Sequence, residues 1–550
     1  MAFFLTFILV SLSPLHPLSY IQTEGNRSFS DEEILHSLNL SEPFNLTEKT
    51  IEECSRRILN LYKSAGFLEA EIHYEIRDST LILTISEGVE FRVGTIEVKG
   101  NRFIKDDVLL KLLSIKKGRV FSVKDFEAGV DEVLNFYGNS GFPFTRFIPS
   151  YFKSEKGRIE IGLEVEEGPR LRWGDITAQG NTITKDYVIK KQLRIPTGDY
   201  FSENQLSRSR TWLEKLPFIE IEDTFGFVKG EESGTVDLLV NVREVKSNRM
   251  SGIIGYIPPR EEEKGGYIGS FMTEMLNLFG TGRAISVQWE KQIPPYTKLD
   301  VSFKEPWVFG SQSSLKLSLF HLLEDTLYTF SKAHIEVKTD LSLNLSMSIL
   351  IGWERFTPAS IEIPASRKYS LGTGVEFSNL DYPVNPRRGV NYIFFTEYGK
   401  KGPTNVMKFT LDLLNNIPVF ANNAIAILIS GKATRTNDPP LPEYEQFTLG
   451  GYNSLRGYRE RQFRTIQMLR VSPEYRYLVS RNSRLYLFYD CAYFKTSTYP
   501  LGTLEDYFKA GYGVGARFSG GIGIISIEYA LGEEKNFMKA KIHLGLDTAF

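Results

Sequence analysis

Leu341-Ser342-Leu343-Asn344-Leu345-Ser346-Met347-Ser348-Ile349 alternates without a break: every odd position is apolar and every even one is serine or asparagine. Successive side chains of an extended chain point to opposite faces, so such a segment presents one apolar and one polar face. The pattern returns at Leu315, Leu317 and Leu319, at Leu371, Thr373, Val375 and Phe377, and at Met407, Phe409, Leu411 and Leu413. From about residue 247 to Phe550 helical period disappears. A chain of this kind folds as an antiparallel array of half-buried strands. In a soluble sandwich the apolar faces pack on each other. In a membrane barrel they face lipid and the polar faces line a lumen. Alternation alone leaves both open.

Other features favour the barrel. The 247–550 stretch has no sign of a second domain, and aromatics cluster inside its strands, as in Leu485-Tyr486-Leu487-Phe488-Tyr489. Aromatics make up 13% of the chain, nearly all Phe and Tyr, which suits strands and membrane-interface girdles. The last strand, Lys541 to Phe550, carries apolar residues at Ile542, Leu544, Leu546 and Phe550. No run of about 18 apolar residues occurs, so no transmembrane helix is expected. Only helices and closed barrels satisfy the backbone in lipid. The apolar stretch Ala2 to Val10 reads as the core of a secretory signal peptide, 1–19. It lacks a preceding Lys or Arg, and Pro14 and Pro17 blur the cleavage site.

Charge excludes one large class: 65 Lys+Arg against 67 Asp+Glu give no basic excess, so no nucleic-acid partner is expected. The two cysteines, Cys54 and Cys491, and the six scattered histidines have no metal-ligand spacing. No Ser-His-Asp or Cys-His set stands out, so neither a cofactor nor an enzyme is expected.

The N-terminal half repeats three times. Short alternating strands end in Gly25-Asn26, Gly100-Asn101 and Gly180-Asn181, a strong turn signal. A second element keeps step: Tyr62-Lys63-Ser64-Ala65-Gly66-Phe67, Tyr137-Gly138-Asn139-Ser140-Gly141-Phe142, and the weaker Leu213 to Phe218. Before the first copy, Ile51, Cys54, Ile58, Leu61 and Tyr62 form one helical stripe, and Gly66 and Gly141 fall where a helix C-cap glycine belongs. Each unit reads strand, helix, helix, strand, strand. A three-stranded sheet under two helices buries one core.

That order and tandem number resemble the POTRA (polypeptide-transport-associated) domain. The resulting organisation is signal peptide 1–19, POTRA units at 20–92, 93–170 and 171–246, and a barrel at 247–550. The resemblance implies open sheet edges that hold client chains by strand addition. The terminal Phe550 on an amphipathic strand resembles the insertion signal of bacterial outer-membrane barrels.

One long loop breaks the alternation. Asn437-Asp438-Pro439-Pro440-Leu441-Pro442 leads into Leu449-Gly450-Gly451-Tyr452-Asn453-Ser454-Leu455-Arg456-Gly457-Tyr458. This stretch resembles the signature of the BamA/TamA superfamily of outer-membrane assembly factors, with Leu455 replacing the usual valine. Asn277 to Arg283, Asp381 to Gly389 and Gly523 to Ala530 resemble further motifs of that family in the same order, with Glu528 where aspartate is usual. The resemblance implies a barrel of about 16 antiparallel strands.

It also implies that Gly450, Gly451, Leu455, Arg456, Gly457 and Tyr458 form a loop folded back into the lumen. An arginine shielded from water needs an anionic partner. Glu528 is the first choice and Asp490 the second. Gly252 and Gly255 weaken the first barrel strand, which must close against Leu544, Leu546 and Phe550 of the last; this pairing is the expected lateral seam. The expected partners are unfolded outer-membrane proteins and outer-membrane lipids. Accessory lipoproteins or an inner-membrane partner are left open by the residues, as is a BamA-like against a TamA-like role. The leading expectation is an insertion factor in the bacterial outer membrane with its POTRA units in the periplasm. The alternatives are a polypeptide secretion pore, as in two-partner secretion, or a TamA-like factor for autotransporters.

Overall fold

The computed structural model describes residues 20–38, 48–77, 80–223, 225–257, 266–292, 296–308, 310–324, 327–359, 365–382, 385–452, 454–498, 501–520, 523–533 and 540–547. The expected signal peptide and Phe550 lie outside the described residues. The chain forms two compact units whose border runs through the third repeat.

The first repeat holds β1 (Tyr20–Glu24), α1 (Asp31–Leu38), α2 (Glu48–Ser64), β2 (Glu71–Arg77) and β3 (Thr80–Ser86). β3 takes the middle place, parallel to β1 and antiparallel to β2. Leu81, Leu83 and Ile85 of this middle strand are buried with Ile51, Ile58 and Tyr62 of α2. Each such side chain contributes about 1.5–3 kcal/mol by leaving water. The second repeat copies the plan with β4 (Arg92–Lys99), α3 (Asp106–Leu112), α4 (Val123–Asn139), β5 (Arg146–Glu155) and β6 (Arg158–Glu166). The third has β7 (Arg172–Gln179), α5 (Asp186–Leu193) and α6 (Glu203–Leu213). Its next strand is broken into β8 (Ile219–Ile221) and β9 (Gly226–Lys229), both paired with β10 (Thr235–Glu244).

The Gly-Asn turns share one mechanism. Gly25, Gly100 and Gly180 have φ of 84°, 88° and 90°, where a side chain is strained. A Cβ on Gly180 would also stand 1.9 Å from the Val242 carbonyl oxygen. The following Asn26, Asn101 and Asn181 each donate from Nδ2 to Asp31, Asp106 and Asp186 at 2.7 Å, tying the turn to the next helix. A carboxylate then closes each turn from beyond the last strand or from its end. Glu87 accepts from the amides of Arg27 and Ser28, Glu167 from Phe103, and Glu244 from Thr182, Ile183 and Thr184.

Burial pushes the Glu244 carboxyl up, but hydrogen bonds from Thr184, Thr182 and Ile183 outweigh it and hold its pKa at about 2. A carboxyl whose folded pKa is depressed contributes stability that is complete above its unfolded value of about 4.3. That stability is lost as pH falls toward about 2. Glu244→Gln is therefore expected to melt about 2–4 °C lower than the parent at pH 7. The difference should shrink as both proteins are taken through the acid range. Circular dichroism of the full chain in detergent reads this, and an unchanged melt at neutral pH would contradict it.

The C-terminal half begins with β11 (Arg249–Ile257), β12 (Gly266–Leu278), β13 (Arg283–Gln292), β14 (Tyr296–Val308), β15 (Ser313–Glu324), β16 (Tyr328–Asp340) and β17 (Leu345–Pro358). It continues through β18 (Ser366–Ser378), β19 (Gly389–Lys401), β20 (Thr404–Phe420) and β21 (Asn423–Thr436). A long connection carries the hairpin β22 (Phe447–Leu449) and β23 (Phe463–Thr465). The wall resumes with β24 (Gln467–Leu478), β25 (Arg484–Ser497), β26 (Leu504–Gly520), β27 (Gly523–Leu531) and β28 (Lys541–Asp547). Without the hairpin these make one antiparallel sheet of 16 strands in sequence order, the transmembrane barrel. Among the described residues no helix is long and apolar enough to cross a membrane.

Alternation reads the faces correctly and one boundary wrongly. Met347, Ile349 and Ile351 of β17 are 47%, 58% and 60% exposed on the outer face, while Ser346 and Glu354 are buried. Leu341 to Asn344, however, form a hairpin turn: the amides of Leu341 and Ser342 both donate to the Leu345 carbonyl. The alternation runs through the turn because nothing there but serine and asparagine marks the bend.

The early barrel motif also finds its place. Asn277, at the end of β12, donates from Nδ2 to the Thr184 hydroxyl at 2.8 Å and accepts the Gly282 amide on Oδ1. Gly280 lies against the Ile183 carbonyl, 1.9 Å from where its Cβ would stand, and accepts the Lys185 amide. Arg194 reaches Asp340 at 2.8 Å while its guanidinium stacks on Trp212. Two barrel turns thus grip the start of α5 and the segment that follows it.

Candidate functional site

The connection between β21 and β24 turns back on itself through the hairpin β22–β23. Its tip carries Gly450 and Gly451, with φ of 116° and 103°. Leu449 and Leu455 are fully buried in a cluster with Tyr458, Met468, Ala492 and Phe494, so the loop is packed onto β24 and β25. Leu455 serves as an apolar anchor of the loop.

Arg456 is 5% exposed and meets three carboxylates. Its Nε and Nη2 donate to the two oxygens of Asp490 at 2.8 and 2.7 Å, and its own backbone amide adds a third bond to Asp490 at 3.0 Å. Nη1 donates to Glu474 at 2.8 Å and to Glu528 at 3.3 Å. The guanidinium carbon lies 3.6 Å from the centre of the Phe488 ring. Only a planar fork can bond through its edges and stack through its face. Behind it, Arg476 donates from Nε and Nη2 to the Glu474 oxygen that Arg456 does not use and also donates to Asn416, and Tyr486 donates to Glu528. Asp490, Glu474 and Glu528 are 0%, 5% and 3% exposed, so none can exchange its partner for water at no cost.

The structure reverses the expected order of partners. Asp490, the second choice, makes the bidentate pair; Glu528, the first choice, makes the longest contact. The reason is where the fork points: the Arg456 backbone amide is already bonded to Asp490 on β25, which aims the side chain along the same carboxylate. Glu474 and Arg476 were missed. Their signal lies in Glu474-Tyr475-Arg476-Tyr477, where two charges alternate with aromatics and so share the lumen face.

Two glycines, Gly457 and Gly511, let the loop reach the wall. A Cβ on Gly457 would sit 2.5 Å from the Leu531 carbonyl, and one on Gly511 of β26 would sit 1.9 Å from the Arg456 carbonyl oxygen. Tyr458 then donates to the Ala510 carbonyl at 3.0 Å. Gly511→Ala is expected to undock the loop without removing any charge. The check is proteolysis of the 437–466 connection in the folded barrel, with cleavage rising about tenfold or more; parental resistance would show that β26 yields instead.

The mid-barrel motif joins two turns and also accepts Arg484, whose guanidinium lies over the Tyr486 ring. Asn385 is buried and donates to the Ser480 and Ser483 carbonyls at 3.2 Å, fixing the turn before β19 to the turn before β25. Of the residues expected at a seam, Gly252 and Gly255 lie in β11 opposite Phe271 and Ile268 of β12. Leu544 and Leu546 lie in β28 opposite Ile527 and Ile525 of β27.

A model described as the Omp85 superfamily domain matches residues 277–550, and the POTRA model, described as surface antigen variable number repeat, matches 18–88, 91–168 and 171–245. The chain belongs to the Omp85 superfamily. As an Omp85 protein it sits in the bacterial outer membrane, with its POTRA repeats in the periplasm. A relative from Nitratidesulfovibrio vulgaris, named outer membrane protein assembly factor BamA, is 24% identical over 80% of this chain and 59% of its own length. A putative outer membrane protein assembly factor from Treponema pallidum is 23% identical over 57% of this chain and 39% of its own. The chain thus spans about three fifths or less of these relatives. The crystal structure of BamA from Haemophilus ducreyi lacking POTRA domains 1–3 shares the fold, with a TM-score of 0.54 at 17% identity, covering 84% of this chain and all of that one. CdiB from Escherichia coli also shares it, with a TM-score of 0.53 at 12% identity, over 91% and 97% of the two chains.

Proposed function

We propose that this Omp85 protein is an assembly factor for outer-membrane β-barrel proteins, receiving unfolded clients on its POTRA repeats and inserting them through a lateral seam between β11 and β28. The observation that carries the reading is the loop locked in the lumen by Arg456 on three buried carboxylates. A loop held in this way braces the β24–β27 wall from inside. The names of its relatives support assembly as the activity.

The seam reading rests on the two end strands. Gly252 and Gly255 leave β11 without packing side chains at two positions, and among the described residues β28 pairs with β27 from Lys541–Ala530 to Asp547–Ile524. An edge of this kind is a liability in most proteins. Once parted, the two end strands offer their backbone groups to a client strand, which gains main-chain hydrogen bonds before it reaches lipid. Chemistry at a catalytic centre plays no part in this scheme.

The direct test is assisted insertion. The purified protein is placed in liposomes, an unfolded small barrel protein is added, and protease protection and heat-modifiable folding are followed. Folding well above that in protein-free liposomes is the expected result. A second reading, a polypeptide secretion pore, is favoured by the fold shared with CdiB. Ion conductance across the same liposomes without accelerated folding would select it.

A further inference from the structure

The connection that carries Arg456 has another buried charge near its other end. Glu445 closes a single 3-10 turn, Glu443–Glu445, and is 2% exposed. Its carboxylate lies 2.7 Å from the Lys408 ammonium on β20 and 3.1 Å from Lys368 on β18. Lys368 is 3% exposed and bonds Glu354 of β17 at 2.6 Å, and Lys332 of β16 reaches the other Glu354 oxygen at 3.0 Å. Both signs therefore meet on the lumen wall, Lys332, Glu354, Lys368 and the buried Glu397 of β19, and the loop adds a further negative charge. Gly399 makes room for this: a Cβ there would stand 2.8 Å from Cδ of Lys368. The residues beside Glu445 are seated as well. The Tyr444 ring stacks on Phe356, 3.9 Å between centres and 17° between planes, and Gln446 donates to the Ser497 carbonyl at 2.9 Å.

We propose that Glu445 is a second foot of the lumen loop, a positioning residue that keeps the connection docked on the β17–β20 wall when the Arg456 foot lets go of β24, β25 and β27. The two feet share no partner. Each buries charge that finds its counter-charge only with the loop in place, so each opposes release separately. The wall next to β28 can then shift while the loop stays in the lumen, and the loop swings about Glu445 instead of leaving. The Glu445 foot follows from the geometry of the connection and does not depend on whether the barrel inserts or exports its clients.

Hydrogen–deuterium exchange of the full chain in detergent tests it without introduced labels. Arg456→Ala should raise exchange in 450–462 and leave 439–446 protected. Glu445→Gln should do the reverse. The pair should raise exchange over 447–466 by about tenfold beyond the combined single effects, because only then is the loop free. Lys408→Gln should behave as Glu445→Gln does from the wall side, and it carries the test if Glu445→Gln fails to fold. Lys408→Arg, which keeps a cation at the carboxylate, should restore protection; a merely steric role would not be rescued by charge. Release of the whole connection by Arg456→Ala alone, or simple additivity in the double variant, would overturn the proposal.

Discussion

Arg456→Ala is expected to bring assisted insertion down to the level of protein-free liposomes. The truncation leaves Asp490, Glu474 and Glu528 buried around an empty position, with Arg476 still paired to Glu474 alone among the three. Removing one partner of a buried ion pair costs about 3–5 kcal/mol. At 1.4 kcal/mol per decade, even ~3 kcal/mol shifts the docked loop by more than a hundredfold. Arg456→Lys should fail nearly as badly. An ammonium is a point charge that cannot bond Asp490 through two nitrogens, reach Glu474 and stack on Phe488 together. A paired variant separates two meanings of the contact. Arg456→Met with Asp490→Asn removes charge from both sides, so heat-modifiable folding of the barrel should return. Insertion that returns with it would make the loop a structural tether; insertion that stays lost makes it a working brace.

A disulfide engineered between β11 and β28 is expected to stop insertion completely and reversibly. The barrel wall elsewhere is held by long ladders, such as the 13 residue pairs of β16 with β17. Opening any of those breaks many backbone bonds in lipid, where each unsatisfied group costs several kcal/mol. The proposed route opens the wall at the end strands instead. Oxidised protein should therefore show background folding of the client, and reductant should restore the parental rate in the same vesicles. Full activity with the disulfide formed would sink the lateral route, though not the assembly role, since clients could then pass by another path. Cys54 and Cys491 are free and should be replaced first, so that the engineered pair alone responds to reductant.

What the sequence determined by itself was written at short range, apart from the turn at Leu341 to Asn344, which its alternation hid. The Gly-Asn turns, the strand-helix-helix-strand-strand order and the two faces of each barrel strand depend on residues within a few positions of one another. Backbone sterics and side-chain period act there without help from the rest of the chain. Even the exceptional loop was visible, because glycines and prolines break a period that is otherwise strict. The tertiary structure decided who meets whom. Arg456 pairs with Glu474, Asp490 and Glu528 at separations of 18, 34 and 72 residues. Which of them receives the bidentate fork depends on a backbone amide placed by the loop's packing, not on residue type. The same is true of Glu445 and Lys368, 77 residues apart, which no local pattern joins. In a closed sheet the inner faces of distant strands look onto one lumen, and only the order and register of the strands bring their charges together.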